Sequence, residues 1–464
     1  MKNLIAFLAL SASVVGCGES GTSSHVTFSV DLRDAIDQGV FDPTSDRVGV
    51  RGSVRPLSWD QSVMAQDLDD DGVYETEVVF ERSPEPVRYK FKIEHPGRVN
   101  EGWEQGRDRL TDRSGARSTV ERPFDEPLPP LESTLTGDIR IMDEVGSAYL
   151  NRNRRVWVYL PPGYESVTSR YPVLYMNDGQ HLFDAVASGF EWSADEAAEE
   201  LISNGEIEPV IIVGVGSSDE RVSEYTPTSR QARSEYRRRT GGPGWEGQYA
   251  TISAPPLPLN IRVQNSSVEV LLPYEADWDS AIRASEDTLL LPQRGITFVA
   301  LTKDNGRVET FSASRPDEGG RGEAYGRFLL EELKPMIDAA YRTDPSRTSL
   351  GGASLGGLIT VYLGAQYPGR FEGLLVASPS VWWDDRSILE IAADADLGET
   401  RVWIDVGSGE NGSMVPDALD LYETLLAGTS DPSRLRYLEA RGATHHELAW
   451  AARFPDMLRF LYGD

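Results

Sequence analysis

The chain has 464 residues, with 45 Lys+Arg against 74 Asp+Glu and a formal net charge of −29. Its length suggests roughly three domains, and its acidity argues against nucleic-acid binding, which needs cationic surface to displace counterions. The single cysteine excludes an internal disulfide framework and Cys-rich zinc or iron–sulfur sites.

At the N-terminus, Lys2 precedes an apolar stretch from Leu4 to Val15, too short to span a bilayer stably. Val14-Val15-Gly16-Cys17 follows, and Cys17 is the sole cysteine. These residues resemble the lipobox of bacterial lipoproteins. The resemblance implies that residues 1–16 are a removable signal peptide. It also implies acylation of Cys17, which would anchor the protein in the bacterial cell envelope, periplasmic or at the outer membrane. No later apolar run is long enough for a transmembrane helix.

Residues 25–121 read as β-rich. Val26 to Val30, Thr76 to Phe80 and Val87 to Ile93 alternate apolar and polar, and turn residues separate them. No helical period is sustained, so an antiparallel β-sandwich is predicted. The order of landmarks, VTFSVDL, GVFDPTSDRVGVRGS, Trp59, DLDDDGVYETEV and VRYKFKI, resembles starch-binding-type carbohydrate-binding modules. That resemblance implies glycan binding through Trp59 and Trp103. Asp67, Asp69, Asp71 and Gly72 look like the front of a calcium loop, but Val78 stands where the twelfth-position Glu belongs, so a solvated hairpin turn is the reading. Residues 122–136 carry Pro123, Pro127, Pro129 and Pro130 and read as an extended linker.

From 137 onwards strands and helices alternate, which predicts a mostly parallel sheet with helices on both faces. Strands are expected at 156–160, 172–176, 210–215, 347–353, 371–377, 401–406 and 435–440. Helices are expected at 194–203, 324–341, 358–367 and 448–461. On the second helix, Leu329, Leu333, Met336, Ile337 and Ala340 share a face. The stretch 243–315, opening at Trp245, has β texture and little helix, and is read as a small β domain inserted in the α/β domain.

Gly352-Ala353-Ser354-Leu355-Gly356 is a GxSxG pentapeptide between a predicted strand and a predicted helix. That context suits a nucleophile elbow: glycines permit a sharp turn, and Ser354 is presented at the strand's C-terminal end. The Leu355 N–H would face a developing oxyanion. A serine hydroxyl needs a base. Of the five histidines, His445 and His446 lie between the last predicted strand and the last helix. No HExxH and no phosphate loop are present, so no metal or nucleotide cofactor is called for.

Several motifs resemble the esterase family of the α/β-hydrolase superfamily that includes enterochelin esterases, feruloyl esterases and mycolyltransferases. They are VWVYLPPGY at 156–164, YPVLYMNDGQHLFD at 171–184, VIIVGVGSSDERVSEYTP at 210–227, the GGASLGG elbow, SPSVWWD at 378–384 and HHELAW at 445–450. The resemblance implies an α/β-hydrolase fold and a Ser354, His445 and Glu410 triad, with Asp405 as the alternative acid and His446 as the alternative base. It assigns a second oxyanion donor to the Gln180 N–H. Trp192, Tyr225, Trp382 and Trp383 become candidate substrate-pocket walls. The function implied is a serine carboxylester hydrolase acting through an acyl-enzyme on a small-molecule or polysaccharide ester, glycan-linked or of siderophore type. An acyltransferase using the same acyl-enzyme, and a non-catalytic glycan-binding surface lipoprotein, are the alternatives.

Overall fold

The computed structural model describes residues 23–463 except 60, 97–101, 187–188, 241–246, 252–259, 265–266, 272–278, 284–287, 292–295, 305–306 and 411. The leader, Cys17 and Trp245 lie outside the described residues. The chain divides into two compact units between Leu128 and Pro129. No helix among the described residues is long and apolar enough to cross a membrane.

In the first unit, Ser23–Asp31, Val73–Glu81 and Arg117–Pro123 form one sheet. Arg47–Gly52, Val63–Met64, Ser83–Glu94 and Arg109–Arg113 form another. Their alternating inward residues, among them Val26, Phe28, Val48, Val50, Phe80, Tyr89 and Phe91, share one core. One strand pair departs from the antiparallel expectation: Arg117–Pro123 runs parallel to Ser23–Asp31. The acidic turn is closed on itself, with Asp67 accepting the Asp71 and Gly72 N–H groups at 3.2 and 2.9 Å.

The second unit is built on eight strands. We label them β1 (Asp138–Ser147), β2 (Arg152–Leu160), β3 (Tyr171–Asn177), β4 (Ile211–Val215), β5 (Thr343–Ala353), β6 (Gly373–Ala377), β7 (Arg401–Gly407) and β8 (Leu435–Ala440). They lie in the order β1-β2-β4-β3-β5-β6-β7-β8. The first hairpin runs antiparallel and β3 to β8 are parallel. β3, β4 and β6 are buried along their whole length, which explains their unbroken apolar runs.

Successive residues on each strand feed opposite cores. Tyr175, Val213, Leu350, Val376 and Ile404 face the helices Gly322–Arg327, Leu355–Gln366, Ile388–Ala393 and Met414–Gly428. Met176, Ile212, Leu375, Ala377 and Trp403 face Ala194–Ser203 and Glu447–Tyr462. Residues 355–364 of the helix after Ser354 are all buried, as an all-round apolar helix requires.

Two local expectations change. The helix expected at 324–341 contains a π-turn, Phe328–Leu333, which rotates its apolar face. Phe328, Leu329, Leu330, Leu333 and Ile337 are buried, whereas Met336 is 38% exposed and Ala340 is exposed. The inserted β segment is wider than 243–315. Eight antiparallel strands, from Ser229–Thr240 to Arg307–Gly319, close into a barrel. Its ends pair at Ser229 and Gly319, so it joins the rest of the second unit through one narrow neck. That neck rests against Trp383, and a Cβ on Gly319 would lie 2.5 Å from the indole.

Phe454 is fully buried and packs edge-on to Trp192 at 5.6 Å in the core under β3 and β6. Phe454→Ala is expected to destabilise the second unit by about 3–5 kcal/mol. Denaturant unfolding followed by tryptophan fluorescence checks this.

Candidate active site

Ser354 follows β5 directly, with φ 60° and ψ −122°, a conformation that an L-residue adopts only under constraint. Three backbone hydrogen bonds hold it: Ser354 N–H donates to Ala377 O, and its carbonyl accepts from Leu358 and Ser380, all at 3.0 Å. Its hydroxyl lies 3.2 Å from the Ser380 hydroxyl. The flanking glycines are needed for close approach. A Cβ on Gly352 would stand 2.9 Å from both Asn177 Cβ and the Gly356 carbonyl carbon. Leu355 opens the following helix, so its N–H sits at the positive end of the helix dipole.

His445 Nδ1 lies 2.7 Å from Glu410 Oε2. The Glu410 side chain is completely buried, while that of His445 is 35% exposed. The other carboxylate oxygen of Glu410 accepts the Gly407 N–H at 2.8 Å and the Ser378 hydroxyl at 2.5 Å. Burial pushes the Glu410 carboxyl up, but hydrogen bonding and charge from His445, then Ser378 and the Gly407 N–H, outweigh it and hold the group below its ordinary 4.5. Ser378 is itself clamped by the Trp450 indole N–H at 2.9 Å. The indole ring of Trp450 also meets His445 edge-on at 5.1 Å.

The two alternatives have other partners. Asp405 is fully buried and accepts from Arg453 at 2.9 Å and from the Trp403 indole at 2.8 Å. His446 caps the last helix, its Nδ1 accepting the Leu448 N–H at 3.2 Å. Geometry thus groups His445 with Glu410. Ser354, His445 and Glu410 sit on loops beyond the C-terminal ends of β5, β8 and β7.

The Gln180 loop follows β3. Gln180 donates its side-chain amide to the Ser217 hydroxyl at 2.8 Å and accepts the Ser217 N–H at 3.1 Å. Asp178, at φ 60°, is held by Arg221 through two 2.7 Å bonds. Burial raises the Asp178 carboxyl, and the Arg221 guanidinium more than offsets that, leaving it below the ordinary range. Asn177 ties this loop to the elbow: its amide donates to Gly356 O at 3.1 Å, and its oxygen accepts the Tyr325 hydroxyl at 2.6 Å.

Three of the four expected pocket walls belong to the core instead. Trp192, Tyr225 and Trp383 are 4%, 0% and 1% exposed. Trp192 is covered by Trp450 and Phe454. Tyr225 packs on Tyr325 and accepts the Asp178 N–H at 3.2 Å. Trp383 donates to Thr228 O at 3.1 Å beneath the Arg230 guanidinium. Trp382 alone of the four is half-exposed. In the first unit, Trp59 and Trp103 are half-exposed neighbours, ring centroids 6.2 Å apart, with Arg88 and Arg51 over their respective rings.

Sequence reasoning missed Ser378, Asn177 and Arg453. Ser378 opens the SPSVWWD motif, and Arg453 stands one helical turn after Trp450, so both were adjacent to quoted signals. The arrangement offers a hydroxyl on a strained turn, an imidazole oriented by a buried anion, and a helix N-terminus. These are the parts of nucleophilic acyl transfer. Because the folded Glu410 value is depressed, its contribution to stability is present above about 4.5 and lost as pH falls through the folded value. Glu410→Gln is expected to flatten the acid limb of stability against pH. Melting temperatures between pH 3 and 7 on both proteins, on the order of ten points each, check it.

The family model described as "Putative esterase" matches residues 147–261 and 277–461. Protein YbbA of Bacillus subtilis is 20% identical over 320 residues, covering 67% of this chain and 93% of that protein. The ferri-bacillibactin esterase BesA of Bacillus subtilis is 31% identical over 140 residues, 28% of this chain, so the match spans only 48% of BesA. The crystal structure of the enterobactin esterase from Shigella flexneri in the presence of enterobactin aligns with a TM-score of 0.53 at 14% identity, over 89% of this chain and 87% of that one. That likeness concerns the fold, a large sheet with helices on both faces. With the greater part of its length matched, the chain belongs to this esterase family and is an ester-hydrolysing enzyme.

Proposed function

We propose that the protein is a serine carboxylester hydrolase acting on siderophore-type esters from the bacterial cell envelope. The observations that carry the mechanism are the 2.7 Å contact between His445 Nδ1 and the buried Glu410 carboxylate and the strained Ser354 backbone at φ 60°. With Nδ1 committed to Glu410, Nε2 is the nitrogen left to take the Ser354 proton. Ser354 Oγ attacks the ester carbonyl, and the Leu355 and Gln180 N–H groups receive the oxyanion. His445 returns the proton to the departing alcohol. Water then attacks the acyl-enzyme by the same route in reverse. Glu410 fixes the imidazole tautomer and stabilises the imidazolium.

The substrate class rests on the sequence similarity to the ferri-bacillibactin esterase BesA, with a fold shared with the Shigella flexneri enterobactin esterase. The inserted barrel, rooted beside Trp383 and the segment that holds Ser354, is suited to restrict which esters reach the serine. The half-exposed Trp59 and Trp103 pair is a candidate contact for a glycan or another flat ligand. Acylation of Cys17 would supply the anchor.

The purified protein is tested on iron(III)-loaded and iron-free catecholate trilactones, feruloyl esters, acetylated xylan and short acyl esters, with Ser354→Ala alongside. The expected result is turnover of the trilactones, lost by at least about a thousandfold in the variant. Turnover confined to feruloyl or acetyl esters would overturn the substrate class. Activity surviving in Ser354→Ala would overturn the mechanism.

A further inference from the structure

A second group of acids is built into the hydrolase unit, just after the Gln180 loop. Glu191, Asp195 and Glu196 each bring a carboxylate oxygen within 4.8 Å of the other two. Glu191 is 6% exposed and Asp195 fully buried, and Glu196 is half-buried. Each also carries a buried oxygen with no hydrogen-bond partner among the described residues: Glu191 Oε2, Asp195 Oδ1 and Glu196 Oε2. The second Asp195 oxygen accepts the Thr136 N–H at 2.7 Å and its hydroxyl at 3.2 Å. Two other buried acids of this unit have an arginine beside them, Glu224 with Arg154 at 3.1 Å and Asp405 with Arg453 at 2.9 Å. Among the described residues, no ion pair reaches these three.

Packed carboxylates with unmet oxygens repel one another and lose their hydration, so they need either a counter-charge or bound protons. An all-oxygen, three-carboxylate donor set matches the hard divalent cations and not the softer metals. We propose that Glu191, Asp195 and Glu196 form a structural site for a divalent cation, calcium or magnesium. Its place in the fold gives it a role. The Trp192 N–H donates to His181 O at 2.8 Å and the Ala194 N–H to Leu182 O at 3.0 Å, so the acids are bound to the turn that carries Gln180. Thr136 ties the same point to the segment leading into β1. A cation here joins all three segments and steadies the Gln180 amide without touching substrate.

The full chain, stripped with chelator and dialysed, is titrated calorimetrically with calcium and with magnesium. Its melting temperature is compared in each ion and in sodium at matched ionic strength. The expected result is binding at one equivalent and a melting point higher by several degrees, absent in sodium. Asp195→Asn and the less buried Glu196→Gln lose both effects, whereas Asp67→Asn, in the exposed acidic turn, keeps them. The preferred ion identifies which of the two cations the site takes. The proposal is overturned if wild type shows neither binding heat nor a divalent-specific shift, which would mean that the carboxyls hold protons. It is equally overturned if both effects persist in Glu196→Gln or vanish in Asp67→Asn.

Discussion

The constraint on which the rest of the site depends is the backbone of Ser354. A serine at φ 60° and ψ −122° costs on the order of 1–3 kcal/mol, and an isolated turn would relax. Here three hydrogen bonds, one donated to Ala377 and two accepted from Leu358 and Ser380, fix it, and a helix buried over residues 355–364 leaves from it. The glycines at 352 and 356 let Asn177 close on the turn, and Asn177 also ends the strand before the Gln180 loop. One strained residue therefore sets the spacing between the hydroxyl and both proposed oxyanion donors.

Around that turn the chain keeps two buried acids, Glu410 and Asp405, whose partners separate their functions. Asp405 is neutralised by Arg453 and the Trp403 indole, and removing Arg453 would strand a buried charge at a cost of about 3–5 kcal/mol. Among the described residues, no arginine hydrogen-bonds Glu410. It faces His445, a hydroxyl and a backbone N–H, so its negative charge is available to an imidazolium. Ser378 touches both groups, since its hydroxyl reaches Glu410 and accepts from Trp450, whose ring buttresses His445.

Much of this was legible in the sequence because it is carried by strong local patterns. The apolar runs at β3, β4 and β6 can only be strands covered on both faces, and the small-residue pentapeptide around Ser354 has few other uses. Family resemblance favoured His445 and Glu410 over their neighbours. The physical reason appears only in three dimensions, where His446 caps a helix and Asp405 faces an arginine. The barrel's bounds were missed because its first strand, Ser229–Thr240, is Arg-rich and polar and offers period-2 reading nothing to detect. The π-turn at Phe328–Leu333 has no compositional mark, so Met336 was turned to the wrong side. Aromatic residues near a site read equally well as walls or as core. Trp192, Tyr225 and Trp383 were settled by neighbours distant in sequence.

The proposed chemistry stands on Ser354 being a nucleophile activated through His445 by Glu410. Mass spectrometry of the intact protein after brief exposure to a fluorophosphonate, with peptide mapping of the adduct, tests this most directly. One adduct is expected, on Ser354, whose formation slows by about a thousandfold or more in Glu410→Gln and changes little in Glu447→Gln. An adduct at another residue, or labelling of Ser354 at an unchanged rate in Glu410→Gln, would contradict it.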